Sequence, residues 1–354
     1  PAAQTGGKPQ HWYLRGLDLS SKVGFKIKNP DIYYGMENSK YAIVPNKLDI
    51  IGIASSRKDN NAQYPQKGGI PIKSLFNKML LAFYFKEEKI FFSSNLYRSS
   101  KLRFRRNVNE RITHLAPFLN LDSDPYLVIT EEGLYWIQDA YTTSNWYPVS
   151  KRSQAIFRSE GIEKNKSFNY IRNSAKIVIN AYNGAIDFFI SDPKDPIIQA
   201  YNIAYPGVFR PLTQLPVSLN NHLRYPRDMF YQQMKIYRRY HQIQPEIFYQ
   251  QAETWEFPEL ESEQLKPYYL TTRLQGCSEM DSFILLSLMT PVARDNLSGF
   301  AAAGTLNAEE CGNTYSPAIT LFKVRKDIQL DGPSQISALI DQDTIISEQL
   351  TLWD

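Results

Sequence analysis

The side chains best suited to chemistry in this 354-residue chain gather in two stretches, with one acid beyond them. Asp139, Tyr141, Thr142, Thr143 and Ser144 set a carboxylate, a phenol and three hydroxyls in one short run, and Arg172 and Asn173 add a guanidinium and an amide. Asp187 follows. Carboxylate, hydroxyl and guanidinium groups beside aromatic rings suit recognition of sugar or phosphate. A pair of carboxylates can also cleave glycosidic bonds, one acting as acid and the other as base or nucleophile. The acids near aromatic residues are Asp139, Asp187 and Glu256. A competing reading makes the same groups a hydrogen-bonded junction between two hairpins.

Other chemistries lack their signatures. There is no GxSxG nucleophile elbow, no P-loop, no GxGxxG and no HExxH. Asp122–Asp124 resembles the start of a calcium loop, but the glycine and distal glutamate are missing, so it reads as a turn before Pro125. His222 stands near Arg224 and Asp228, and His241 follows Arg238, Arg239 and Tyr240. Each reads either as a general base with an orienting carboxylate or as a capping or surface histidine. Cys277 and Cys311 form no CxxC, and with four His zinc-ligand spacing is absent. No metal and no cofactor is expected. The two thiols suit either one disulfide, contributing on the order of 3–4 kcal/mol by loop entropy, or two free cysteines.

These groups must be positioned by strands. Tyr126–Thr130 and Leu134–Ala140 flank Glu131, Glu132 and Gly133 and predict a hairpin. Ala175–Tyr182 and Ala185–Ile190, joined by Asn183 and Gly184, predict a type I′ hairpin. The polar segment Lys151–Ser167 between them reads as a linker or exposed loop. Upstream, Tyr41–Val44 and Asp49–Ile53 read as strands. A core helix is expected over Ile72–Phe85, with Leu75, Met79 and Ala82 on one face. Phe104, Val108, Ile112 and Leu115 predict an amphipathic helix stopped by Pro117, with Arg103 and Arg106 on its wet side. Pro196, Pro226 and Pro245 open further helices. The last part alternates: strands at Tyr268–Leu274 and Phe283–Met289, a helix at Arg294–Ala303, and a strand at Ala318–Arg325. Gly332 and Pro333 open a helix with Ile336, Leu339 and Ile340 inward, and a final helix presents Ile346, Leu350 and Trp353.

Composition bounds the rest. Hydrophobic residues make up 43% and charged residues 21%, which is the composition of a globular chain rather than a disordered one. The net charge of +4 is too small to imply a nucleic-acid partner. Its distribution is uneven. Arg98, Lys101, Arg103, Arg105, Arg106 and Arg111 cluster, whereas from Asp327 onward there is no Lys or Arg. A basic stripe of this kind can meet phosphates or anionic headgroups, with Arg103 and Arg106 as the candidate lipid or anion contacts. The longest uncharged run, Pro196–Phe209, holds two Pro, a Gly and an Asn, so no bilayer-spanning segment is expected, and no signal peptide is visible.

Several stretches together resemble one family. They are Asn29–Gly35, Gly68–Pro71, Arg106–Arg111 running into Ala116–Phe118, Trp136–Ser144 with Tyr147 and Pro148, and Asn169–Ser174. Asp192–Pro196, Tyr205–Gly207, His222–Pro226, Arg294–Leu297, Gly332–Ile336 and Gln349–Trp353 complete the series. In this order they resemble the large C-terminal region of uncharacterised protein family 0182, from Asn29 to Asp354. Members carry several transmembrane helices ahead of this region. The resemblance therefore implies a part of a bacterial cell-membrane protein that lies outside the cytoplasm, in the cell envelope. It implies no reaction. The two cysteines are not part of the family pattern, and an extracytoplasmic place would favour a lineage-specific disulfide.

The expected fold is α+β: antiparallel hairpins with packed helices, followed by a smaller α/β unit. Residues 1–28 form a tail, 29–258 the main domain and 259–354 the smaller one. The leading functional expectation is a binding or assembly module. Its partners would be its own transmembrane region and an envelope protein, lipid or glycan. The alternative is a hydrolase or transferase acting on envelope polymers.

Overall fold

A computed structural model describes residues 31–37, 40–47, 68–159, 162–251, 253–260, 263–272, 282–305, 317–325 and 327–353. It also describes the short strand pairs Ala2–Ala3 with His11–Trp12 and Leu14–Arg15 with Ser20–Ser21. The rest of the expected tail, the expected strand at Asp49–Ile53, and Cys277 and Cys311 lie outside the described residues. The fold is mixed α+β. It divides into two compact units, one of Pro1–Leu121 with Pro125–His222 and one of Asp122–Asp124 with Leu223–Asp354.

In the first unit, a small antiparallel sheet has β3 (Leu96–Phe104) between β1 (Tyr41–Asn46) and β2 (Ile70–Pro71). Helices α1 (Leu75–Phe85) and α2 (Lys89–Phe92) lie against it around Ile72, Leu81, Ile90 and Leu102. Ser74 caps α1 by accepting the Asn77 N–H, and Lys86 ends it in a left-handed turn at φ 54°. The expected core face of α1 is not its buried face: Leu75 and Met79 are exposed and Leu81 is buried instead.

The larger sheet holds the candidate residues. Its order is β11 (Phe209–Pro211), β10 (Ile186–Ile190), β9 (Tyr170–Asn180), β6 (Gly133–Ser144) and β4 (Asn120–Leu121), with β5 (Tyr126–Thr130) also on β6. One face of β9 buries Ala175, Ile177 and Ile179 with Phe188 and Ala140. Helix α3 (Val108–Leu115) contributes Val108 and Ile112 to that core, and α4 (Pro196–Ala204) contributes Ile198. The other face, with Ile137, Asp139, Lys176, Val178 and Phe189, is buried too. Burial on both faces explains why β9 reads as a continuous apolar run rather than an alternation.

The segment expected as a loop at Lys151–Ser167 is instead a hairpin, β7 (Ser153–Ser159) with β8 (Ile162–Phe168). Its polar residues disguise an anchor: Phe157 and Phe168 are buried, and Phe157 packs on Tyr141 with ring centroids 6.1 Å apart. The hairpin at Asn183–Gly184 forms, but with a wider loop. Asn180 and Ala185 close it through an N–H···O bond of 2.9 Å, and only Gly184 has positive φ (73°). A type I′ turn needs both central residues there.

The second unit is built on an antiparallel sheet ordered β12 (Trp255–Glu256), β14 (Ser282–Pro291), β15 (Gly299–Thr305) and β16 (Pro317–Lys323), with β13 (Tyr268–Thr272) also on β14. Helix α5 (Arg227–Tyr240) belongs to this unit and buries Met229, Phe230 and Met234. A short helix, α6 (Pro245–Gln250), follows. The helix expected at Arg294–Ala303 is strand β15. Its Ala301, Ala302 and Ala303 are buried between two partner strands, and a side chain at Gly299 would stand 2.5 Å from the Phe322 carbonyl oxygen. Small residues admit close strand neighbours here, overriding alanine's helical preference. Helices α7 (Pro333–Gln342) and α8 (Thr344–Trp353) close the chain; Ile336, Leu339 and Ile340 are exposed rather than turned inward, and α8 exposes Ile346.

Gly184 joins two constraints: its positive φ, and a Tyr34 ring that a Cβ would meet at 2.5 to 2.7 Å. Gly184→Ala is expected to destabilise the chain by about 1–3 kcal/mol, read as a lower urea midpoint. An unchanged midpoint would mean that Tyr34 can move aside freely.

Candidate functional site

The candidate residues meet at an irregularity in the large sheet. Ala140 pairs with Ala175, and Thr142 pairs with Arg172, so β9 carries one extra residue opposite Tyr141. Such a bulge re-aims the side chains beside it. Asn173 reaches Asp139, donating from Nδ2 to Oδ1 at 3.1 Å. Ser174 turns toward Thr142, with the two hydroxyl oxygens 3.0 Å apart. Asp139 also accepts a short bond from Lys176 Nζ, and both side chains of this ion pair are buried.

A second carboxylate, Asp195, completes the junction. It is fully buried at the N-cap of α4. Its Oδ2 accepts from Thr142 and Ser174 at 2.6 Å each and from the Ile198 N–H at 3.2 Å. Its Oδ1 accepts from the Tyr170 hydroxyl at 2.6 Å and from the Ile197 N–H at 3.1 Å. Burial alone would raise the Asp195 carboxyl, but the donors from Ser174, Thr142, Tyr170 and Ile197 together outweigh it and hold it below the usual carboxylate range. The Tyr170 phenol is pushed up to about 12, first by burial and then by its bond to Asp195. Composition gave no hint of Asp195. Its local signal was an Asp directly before Pro196, the pattern of an N-cap followed by proline in the first turn.

The remaining candidates separate. Tyr141 is fully buried. The Thr143 hydroxyl accepts from Asn120 at 3.0 Å, and Ser144 Oγ accepts the Trp146 N–H at 3.1 Å in a turn. Arg172 stands at the surface, 2.9 Å from Asp192. Burial lowers its guanidinium, but Asp192 and Tyr170 more than compensate and raise it. Asp187 lies on the same sheet face as Asp139 but pairs with Arg210 at 3.1 Å. The two carboxylates therefore face different cations rather than one shared substrate space.

Three members of the basic cluster, Arg103, Arg106 and Arg111, turn inward, whereas Arg98 is exposed. Arg103 is in strand β3 and 1% exposed, because the helix starts only at Val108, after the Asn107 cap, and Phe104 ends the strand. Arg103 lies over the Tyr33 ring at 5.6 Å, and Arg106 Nε donates to the Tyr33 carbonyl at 2.6 Å. Arg111 covers Tyr34 at 4.8 Å and donates to the Gly184 carbonyl at 3.0 Å. Burial lowers both Arg106 and Arg111. Arg103 is thus no headgroup contact, and Arg106 serves to join Tyr33 to α3.

In the second unit, His241 stacks on Trp255 with centroids 3.9 Å apart, and burial lowers its imidazole. Asp122 and Asp228 form a reciprocal cap at the start of α5: Asp122 Oδ2 accepts the Asp228 N–H at 2.9 Å, and Asp228 accepts the Ser123 N–H and hydroxyl. Burial raises the Asp228 carboxyl against the pull of those Ser123 bonds. No group of three or more His, Cys, Asp or Glu among the described residues is arranged to hold a metal ion.

Fold and junction together define a two-unit α+β chain in which Asp139 and Thr142 are tied inside the large sheet to Lys176 and Asp195. The model of the uncharacterised protein family UPF0182 matches residues 1–353, and the chain belongs to that family. It is 47% identical over 363 residues to a UPF0182 protein of Methylococcus capsulatus, covering 100% of this chain and 40% of that protein. Relatives in Syntrophobacter fumaroxidans (41% over 358 residues; 100% and 39% covered) and Nitrosococcus oceani (42% over 358; 99% and 40%) are similar. The chain thus spans about two fifths of the length of these relatives. No solved structure matches it.

Removing one partner of the buried ion pair isolates a charge. Lys176→Met is expected to cost about 3–5 kcal/mol in urea denaturation, with most of the loss recovered in the Asp139→Leu/Lys176→Met double variant. A single variant as stable as the parent would show that the pair carries no structural load. Asp195 predicts an acid limb. Its folded pKa lies below the unfolded one, so its contribution is complete above about pH 4 and is lost as pH falls through the folded value. Thermal melts from pH 7 to pH 2 should show this loss, and Asp195→Asn should flatten it.

Proposed function

We propose that this chain is an extracytoplasmic binding or assembly module of a larger bacterial envelope membrane protein. The observation that carries the reading is the contrast between spent polar groups and free apolar ones. Asp139 is bonded to Lys176, and Thr142 and Ser174 are bonded to Asp195, all of them buried. Meanwhile Leu75, Phe76, Phe83, Leu339 and Ile345 are more than half exposed. Large outward apolar surfaces mark interaction faces. The length of the relatives supports a larger whole, and the family resemblance supplies the membrane.

A hydrolytic or transferase role fits the geometry less well. A general acid must reach the proton acceptor of its substrate, and the Asp139 carboxylate is held by Lys176 and Asn173 with 3% of the residue exposed.

In spheroplasts of Methylococcus capsulatus, added protease is expected to cut the matching region of its family protein, followed with antibody raised against this chain. Protection until lysis would place the region in the cytoplasm and overturn the location. Saturable turnover of an envelope glycan by the purified chain, abolished in an Asp139→Asn variant of unchanged melting temperature, would overturn the binding-module reading in favour of the enzyme.

A further inference from the structure

Helix α1 carries its apolar side outward. With about 100° between successive residues, Leu75, Phe76, Met79, Leu80, Phe83 and Tyr84 form one stripe about 180° wide, and all six are exposed, from 53% to 86%. The opposite side faces the small sheet. It holds buried Leu81 and half-buried Ala82 and Phe85, but also the polar Asn77 and Lys78, both half-buried. Asn77 is satisfied there by donating to the Pro71 carbonyl at 3.0 Å. A helix facing water has the reverse arrangement. Phe92 of α2, 76% exposed, extends the surface.

We propose that this face lies on the surface of an anionic lipid bilayer. The charges around it fit that occupant. Lys73 precedes α1, Lys86 ends it and Lys89 opens α2, all three exposed. Lys47 is fastened just past α2 by its bond to the Ser94 carbonyl at 2.9 Å. Two acids lie nearby, Glu87 and Glu88, so the four lysines outnumber them; Glu87 also accepts from the Tyr41 hydroxyl at 3.1 Å. Lysine stems can lie along apolar surface while their ammonium groups reach phosphates. Aromatic and aliphatic side chains enter the headgroup–acyl boundary, the arrangement of an in-plane helix. An open groove of about 530 Å³ adjoins the stripe, lined by Met79, Ala82, Phe91 and Phe92 together with Lys86, Glu87 and Glu88. With 11 residues, α1 is too short to cross a bilayer and would lie along it. The α7–α8 pair also exposes apolar residues, but the sequence that forms it, from Asp327 onward, carries acids and no Lys or Arg, and anionic headgroups repel acids.

The proposal names the partner for one face of the binding module and rests on that reading for the nearness of a membrane. The test reads lipid contact alone, so it can fail while the protease result stands. Purified chain is floated with phosphatidylcholine vesicles containing or lacking phosphatidylglycerol. The expected result is flotation with the anionic vesicles, reduced about tenfold or more without phosphatidylglycerol and weakened by added salt. Phe76→Asp/Phe83→Asp and Lys86→Glu/Lys89→Glu should each abolish it, while Leu339→Asp should float as the parent does. Circular dichroism and melting temperature report whether each variant is folded, and the lysine variant carries the test if the aspartates disturb α1. No flotation of the parent, or equal flotation of parent and folded variants, overturns the proposal. So does self-association in sedimentation velocity that Phe83→Asp removes, which would assign the face to a second copy of the chain.

Discussion

Everything around the large sheet leans on one carboxylate. Asp195 accepts five hydrogen bonds, from Thr142 on β6, Tyr170 and Ser174 on β9, and two amides of α4. A buried charge is tolerated only when its lone pairs are filled, and here filling them ties two strands and a helix to one point. The bulge opposite Tyr141 makes this possible, because it turns Ser174 toward Thr142 while leaving Asn173 to reach Asp139. Lys176 then neutralises Asp139 a short way along the same strands. Of the polar groups that resemble a catalytic set in sequence, Asp139 and Asn173 bond each other, and Thr142, Arg172 and Asp187 bond Asp195, Asp192 and Arg210 instead.

The apolar side of the ledger runs the other way. The core under α3 and α4 is well supplied, with Val108, Ile112, Ile177, Ile179 and Ile198 fully buried. Yet α1, the most apolar helix of the first unit, buries only Leu81. Its outward stripe and the exposed residues of α7 and α8 lie in surroundings of opposite charge, lysines at one and acids at the other. Two apolar faces of different electrostatic character suit different partners.

Local signals were legible where the chain itself enforces them. Pro196 and Pro245 sit in the first helical turn as expected, and Pro226 directly precedes α5. The hairpin pairing Tyr126–Thr130 with β6 follows its alternating pattern and glycine turn. The Asn183–Gly184 hairpin was right in place and wrong in turn type, since Tyr34 and Arg111 pack on that loop from far along the chain. Misreadings cluster where a distant neighbour decides. Arg103 reads as a helix face until Asn107 is seen to cap the helix below it, and Arg294–Ala303 reads as a helix until strands close on both sides of its alanines.

The family motifs, the mixed α+β character and the positions of most helices were written in the sequence by itself, because caps, prolines and apolar periodicity act over a few residues. Which polar side chains face each other, and which apolar faces stay outside, was decided only by the tertiary structure. Both depend on strand register and on contacts between residues far apart in the chain, such as Thr142 with Asp195, and no local pattern encodes such a pairing.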